Sequence, residues 1–104
     1  MPKFMKVATT DELEDQQAKL VEVEGQKLAL FRVGEAFYAL SDTCTHRGGP
    51  LSEGTVEGAE AEVMCPWHRA KFDIRTGAVL GAPARQDVKS YLVRVSGADV
   101  EIEV

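Results

Sequence analysis

Cys44-Thr45-His46 and Cys65-Pro66-Trp67-His68 hold every cysteine and every histidine of this 104-residue chain, with 18 residues between the two segments. Thiolate and imidazole are ligands of choice for transition metals, so two gathered Cys/His pairs point to a metal centre. A structural zinc would accept these four groups, although zinc sites usually pair like with like, cysteine with cysteine and histidine with histidine. Here each pair is mixed, and the first has a single intervening residue. A binuclear iron-sulfur centre with two thiolates on one iron and two imidazoles on the other asks each of two loops for one ligand to each iron. Mixed pairs meet that demand directly. A disulfide between the cysteines is not expected, since each has a histidine two or three residues downstream.

Strands must position these pairs. Lys19 to Val23, Lys27 to Val33 and Ala36 to Leu40 alternate apolar and polar side chains with period two, and Gly25 and Gly34 punctuate them as hairpin turns. Val88 to Val95 and Asp99 to Val104 repeat the pattern around Ser96-Gly97. The five segments predict an antiparallel sheet or small barrel. Thr10 to Gln17 is the one segment that reads as helical, a turn or two with Thr10 as N-cap and acidic residues in its first turn. The stretch from Ser41 to Pro83 is rich in glycine and proline. The expectation is therefore an all-β fold: one domain over residues 1–104, with a loop-rich lobe at about 42–83 inserted in an antiparallel β base and both ligand pairs on facing hairpin tips. No internal repeat is visible.

The net charge of -5 argues against nucleic acid and anionic membrane as partners, because both require clustered cations. The acidic run Asp11-Glu12-Leu13-Glu14-Asp15 is a candidate contact surface whose plainer reading is a solvated turn. The N-terminus carries no apolar run with a cleavage site, and no stretch is long and apolar enough to span a membrane, so a cytoplasmic, unanchored protein is expected.

Cys44-Thr45-His46-Arg47-Gly48-Gly49-Pro50-Leu51 and Cys65-Pro66-Trp67-His68, followed by Ala70, Phe72 and Asp73, resemble the two cluster loops of Rieske proteins, specifically of the small soluble Rieske ferredoxins. Gly81-Ala82-Pro83-Ala84 resembles that family's third, proline-bearing loop, and the resemblance extends over nearly the whole chain. It implies a Rieske iron-sulfur domain holding one [2Fe-2S] cluster per chain, with Cys44 and Cys65 on the buried iron and His46 and His68 on the outer one. High-potential members have an extra cysteine in each loop, where this chain has Gly49 and Trp67. They also place serine and tyrosine hydroxyls near the cluster sulfur, where this chain has Ala70 and Phe72. Fewer donors to sulfur imply the lower part of the Rieske range of about -150 to +300 mV.

The same resemblance implies an electron-transfer protein and no enzyme: a monomeric carrier between a flavin-containing ferredoxin reductase and a terminal oxygenase such as an aromatic-ring dioxygenase. A mononuclear iron site of two histidines and a carboxylate cannot be added, because no further histidine exists. The small Rieske-like subunit of a nucleotide-dependent nitrite reductase and, in a different class, a zinc-stabilised binding module remain as alternatives. One residue departs from the family pattern: Arg69 stands where soluble members have glycine after the second histidine, which would cost strain if the backbone there has positive φ. With Arg47, it would put a cation beside each outer histidine. Trp67 is expected as an apolar plug between the loops, Gly48 and Gly49 as points of close backbone approach, and Asp73 as a turn cap. Phe31, Phe37, Tyr38 and Tyr91 are expected in the core or on a sheet face.

Overall fold

The computed structural model describes residues 3–43, 49–58, 60–67, 69–81 and 86–103. Strands β1 (Phe4–Thr9), β2 (Gln17–Val23), β3 (Gln26–Val33) and β4 (Ala36–Ser41) open the chain. The three-residue strands β5 (Thr55–Glu57), β6 (Glu62–Met64), β7 (Lys71–Asp73) and β8 (Val79–Gly81) follow, and β9 (Ser90–Tyr91), β10 (Val93–Ser96) and β11 (Asp99–Glu103) close it. They form three antiparallel sheets in the orders β1-β11-β10, β2-β3-β4-β9 and β5-β6-β7-β8.

The β2-β3-β4 sheet is the partition of the molecule. Val21, Val23, Leu28, Leu30, Phe37 and Ala39 face the β1-β11-β10 sheet, where Ala8, Val100 and Ile102 complete one core. Ala29, Phe31 and Leu40, on the opposite face, meet Leu51, Val63, Cys65, Ala70, Phe72 and Ile74 in a second core. Consecutive residues Leu28 to Phe31 are therefore all buried, and each large side chain among them contributes about 1.5–3 kcal/mol by leaving water. Phe31 and Phe37 are buried and Tyr38 and Tyr91 pack at the core margins, as expected.

The small β5-β6-β7-β8 sheet owes its inner face to one cross-strand row. Val56 pairs with Val63, Val63 with Phe72 and Phe72 with Val79, so a single apolar side chain from each strand builds a continuous wall. This is more regular than the expected loop-rich lobe.

Two other expectations are corrected. The helix expected over Thr10 to Gln17 is only a 3-10 turn at Thr10–Glu12, preceded by Thr9 as N-cap, and Gln17 already belongs to β2. Buried Leu13 is extended, and Arg32 donates to the carbonyls of Thr10 (3.2 Å) and Leu13 (2.7 Å), which holds these groups outside any helical ladder. The strand expected over Val88 to Val95 is cut at exposed Leu92, because Ser90–Tyr91 pairs with β4 whereas Val93–Ser96 pairs with β11 in the other sheet. The acidic run serves the turn: Glu12 pairs with Lys19, and Asp15 accepts the Gly34 N–H at 2.6 Å. No described helix is long and apolar enough to cross a membrane.

Candidate metal centre

Of the expected ligands, Cys65 is described; Cys44, His46 and His68 lie outside the described residues, as do Arg47, Gly48 and Ala82 to Ala84. The ground on which all three loops stand is described, and each loop is tied at its neck.

The neck of the first loop is a Thr43–Pro50 bridge. Asp42, 6% exposed, accepts the Leu51 N–H on its carbonyl at 2.8 Å and the Ser52 N–H on its carboxylate at 2.7 Å. Its own N–H donates to the Lys27 carbonyl, which fixes the neck to β3. Sequence reasoning missed Asp42. No local signal marks it, because the Leu51-Ser52 backbone it holds lies nine and ten residues further along the chain and is brought to it only by the folded neck.

The second loop is the tip of the β6–β7 hairpin. The Cys65 N–H donates to the Ala70 carbonyl at 2.7 Å, closing a six-residue loop. Cys65 is 1% exposed and Ala70 and Phe72 are fully buried, while Pro66, Trp67 and Arg69 are exposed. Arg69 has φ 62°, the left-handed region, so arginine occupies a conformation that favours glycine. Trp67 is not the expected buried plug, since 49% of it remains open to solvent. Its inner edge instead covers Gly49.

The third loop springs from β8. The Val79 N–H donates to the Asp87 carboxylate at 2.8 Å and the Val88 N–H to the Gly77 carbonyl at 2.9 Å, closing the chain on both sides of residues 82–85. Asp73 organises the turn before β8, its carboxylate accepting the Arg75 and Thr76 N–H groups, which is the expected capping role.

Gly49 joins the first two loops. A Cβ placed on it would stand 2.7 Å from Cys65 Sγ and 3.0 Å from Trp67 Cγ, so only a residue without a side chain lets the end of the first loop reach the second loop's sulfur. A buried cysteine sulfur among apolar side chains, met by a glycine backbone, suits a sulfur-rich cluster that needs thiolate ligands and close amide groups. The residues present thus fit an iron-sulfur group at this end of the lobe.

An all-β partition with two stapled hairpin loops converging on a buried cysteine defines a cluster-binding domain, and the comparisons with known proteins say which kind. The description of the Rieske [2Fe-2S] domain matches residues 3–92, and the chain belongs to that family. It is 43% identical over 84 residues to the ferredoxin component of the naphthalene 1,2-dioxygenase system of Pseudomonas aeruginosa, covering 81% of this chain and 79% of the relative. The ferredoxin of carbazole 1,9a-dioxygenase from Nocardioides aromaticivorans superposes with a TM-score of 0.93 at 32% identity, over 95% of each chain. A structure described as the complex of reduced oxygenase and oxidized ferredoxin in carbazole 1,9a-dioxygenase gives a TM-score of 0.89 at 33% identity, over 95% of this chain and 91% of that one.

Proposed function

We propose that this chain is a one-electron carrier, the ferredoxin component of a multicomponent oxygenase system, and that it converts no substrate itself. It takes electrons from a flavin-containing ferredoxin reductase and passes them to a terminal oxygenase such as an aromatic-ring dioxygenase. In this reading it holds one [2Fe-2S] cluster, works as a monomer and resides in the cytoplasm. Similarity to ferredoxin components of dioxygenase systems favours this over a nitrite reductase subunit or a zinc module.

Cys44 and Cys65 would hold one iron, and His46 and His68 the other. The bound cluster supplies a one-electron couple whose imidazole ligands set it above all-cysteine clusters in potential. Cys65 would give its iron a dry, apolar seat, since it is 1% exposed and sits among Val63, Ala70 and Phe72. On either side of His68, Trp67 and Arg69 are exposed, which favours an outer histidine whose free edge meets a partner at the surface. Ala70 and Phe72 offer no side-chain donor, which supports a potential low in the Rieske range.

The approach of Gly49 to Cys65 Sγ carries this reading, because it brings the end of the loop that follows Cys44-Thr45-His46 in sequence to the sulfur of the second Cys/His segment. Absorption and electron paramagnetic resonance spectra before and after dithionite test it. A red-brown protein that bleaches and gains the low-average-g signal of a mixed-ligand cluster is expected, with that signal lost in His46→Ala and His68→Ala. A colourless protein containing zinc would overturn it.

A further inference from the structure

Four non-glycine residues among those described have positive φ: Gln16, Glu24, Ala61 and Arg69. Three have a local reason. The Gln16 side chain is laid against Gly58, its Cδ 2.4 Å from where a Cβ would stand. Glu24 shares the β2–β3 hairpin turn with Gly25 and pairs with Lys3 at 2.8 Å. Ala61 is buried, and its carbonyl accepts the Ile74 N–H at 2.8 Å. Arg69 is exposed and has no hydrogen bond or ion pair among the described residues.

It also differs from the other described arginines. Arg32 donates to the carbonyls of Thr10 and Leu13, Arg75 pairs with Asp73, and Arg94 pairs with Glu101 while lying over Phe4. In a chain of net charge -5, one unpaired guanidinium is therefore held in a strained conformation directly after His68 and two residues from half-exposed Trp67. Adjacent Cα atoms are about 3.8 Å apart, well inside the screening length of about 8–10 Å, so the charge acts on whatever approaches that histidine.

We propose that Arg69 makes the electron port of this chain selective for anionic acceptors, which in the oxygenase system means a terminal oxygenase with carboxylates bordering its electron entry. This rests on the carrier reading above. A guanidinium forks onto a carboxylate through two parallel hydrogen bonds, giving orientation as well as attraction. The acceptor is the chosen partner because a related ferredoxin is known in complex with its oxygenase. The sequence also places Arg47 and Arg85 in the other two loops, outside the described residues.

The test compares wild type, Arg69→Gly and Arg69→Glu, each reduced with dithionite and freed of excess reductant. Each is then oxidised in a stopped-flow instrument by hexacyanoferrate(III), an anion, or by tris(1,10-phenanthroline)cobalt(III), a cation. Either probe takes one electron from the reduced cluster and becomes hexacyanoferrate(II) or the cobalt(II) complex. The ratio of anion to cation rate cancels changes in potential common to both probes. It should fall about threefold in Arg69→Gly, further in Arg69→Glu, and converge among the three proteins at high salt. Thermal melting separates strain from charge: Arg69→Gly should melt a few degrees higher, and Arg69→Glu like wild type. An unchanged rate ratio in both variants overturns the proposal. A wild type without a reducible cluster overturns the carrier reading instead.

Discussion

Gly49 lies against Cys65 so closely that a methyl group on the glycine would stand 2.7 Å from the cysteine sulfur. No real Cβ tolerates that distance, and Trp67 closes the escape route at 3.0 Å. Gly49→Ala should therefore push the first loop off the second. A cost of about 1–3 kcal/mol is expected from overpacking, together with a fall in iron per chain. Urea denaturation and iron analysis of the purified variant check this, and full iron content with an unchanged midpoint would refute it.

Asp42 ties the neck of the first loop through two backbone N–H groups, those of Leu51 and Ser52. Asp42→Ala leaves the Ser52 N–H without its 2.7 Å acceptor in a partly buried place, at a cost of about 1–3 kcal/mol. Asp42→Asn keeps an oxygen acceptor and should lose less. Because Thr43 and Pro50 lie immediately inside this tie, the alanine variant should also release iron to a chelator faster than wild type.

Two carboxylates give stability opposite dependences on pH. The hydrogen bond from Lys19, helped by the Thr9 N–H and hydroxyl, lowers the Glu12 pKa from 4.5 to about 2. Its contribution is complete above the ordinary value and is lost as pH falls from 4.5 towards 2, so Glu12→Gln should weaken the fold at neutral pH and not near pH 2. Partial burial, then the hydrogen bond and charge of Glu60 and the charge of Glu57, raise Glu62 above 4.5 against the opposing charge of Lys71. Its neutral form suits the fold, so stability is present below 4.5 and lost as pH rises through the raised value. Glu62→Gln should accordingly stabilise at neutral pH and have little effect at pH 4. Urea midpoints across pH measure both signs, and parallel profiles for wild type and either variant would refute that variant's assignment.

Most of the long segments were legible because a strand with one face in a core and the other in water imposes period two on its side chains. β3, with a face in each core, instead shows a continuous apolar run from Leu28 to Phe31 and was delimited by the turn residues Gly25 and Gly34 on either side of it. β1 escaped notice because its register shifts between Lys6 and Ala8, so the alternation is broken where a bulge absorbs a residue. The strands of the lobe escaped because three residues around one apolar side chain, as in Lys71-Phe72-Asp73, carry no period. The break at Leu92 is invisible locally, since the alternation runs on while the chain changes sheets. At the candidate site, the cysteine and histidine pairs stand out in the sequence by type and spacing, and of the four only Cys65 lies among the described residues. Asp42 and Asp87, which hold the necks, do not, because any aspartate beside a turn looks the same until the backbone it caps is folded against it.

A strand with apolar residues on both faces has no built-in sense of which way round it should lie. In β3, a slip of one residue would give Leu28 and Leu30 to the lobe and Ala29 and Phe31 to the base, and the mistake would still be greasy inside. Correct alignment falls to the tight hairpins at Glu24-Gly25 and Gly34-Glu35, whose two-residue spans admit one pairing on each side. These turns carry no ligand. They nevertheless act as the rulers of the molecule, and a chain that measures wrongly there would collapse into something compact with no seat for Cys65.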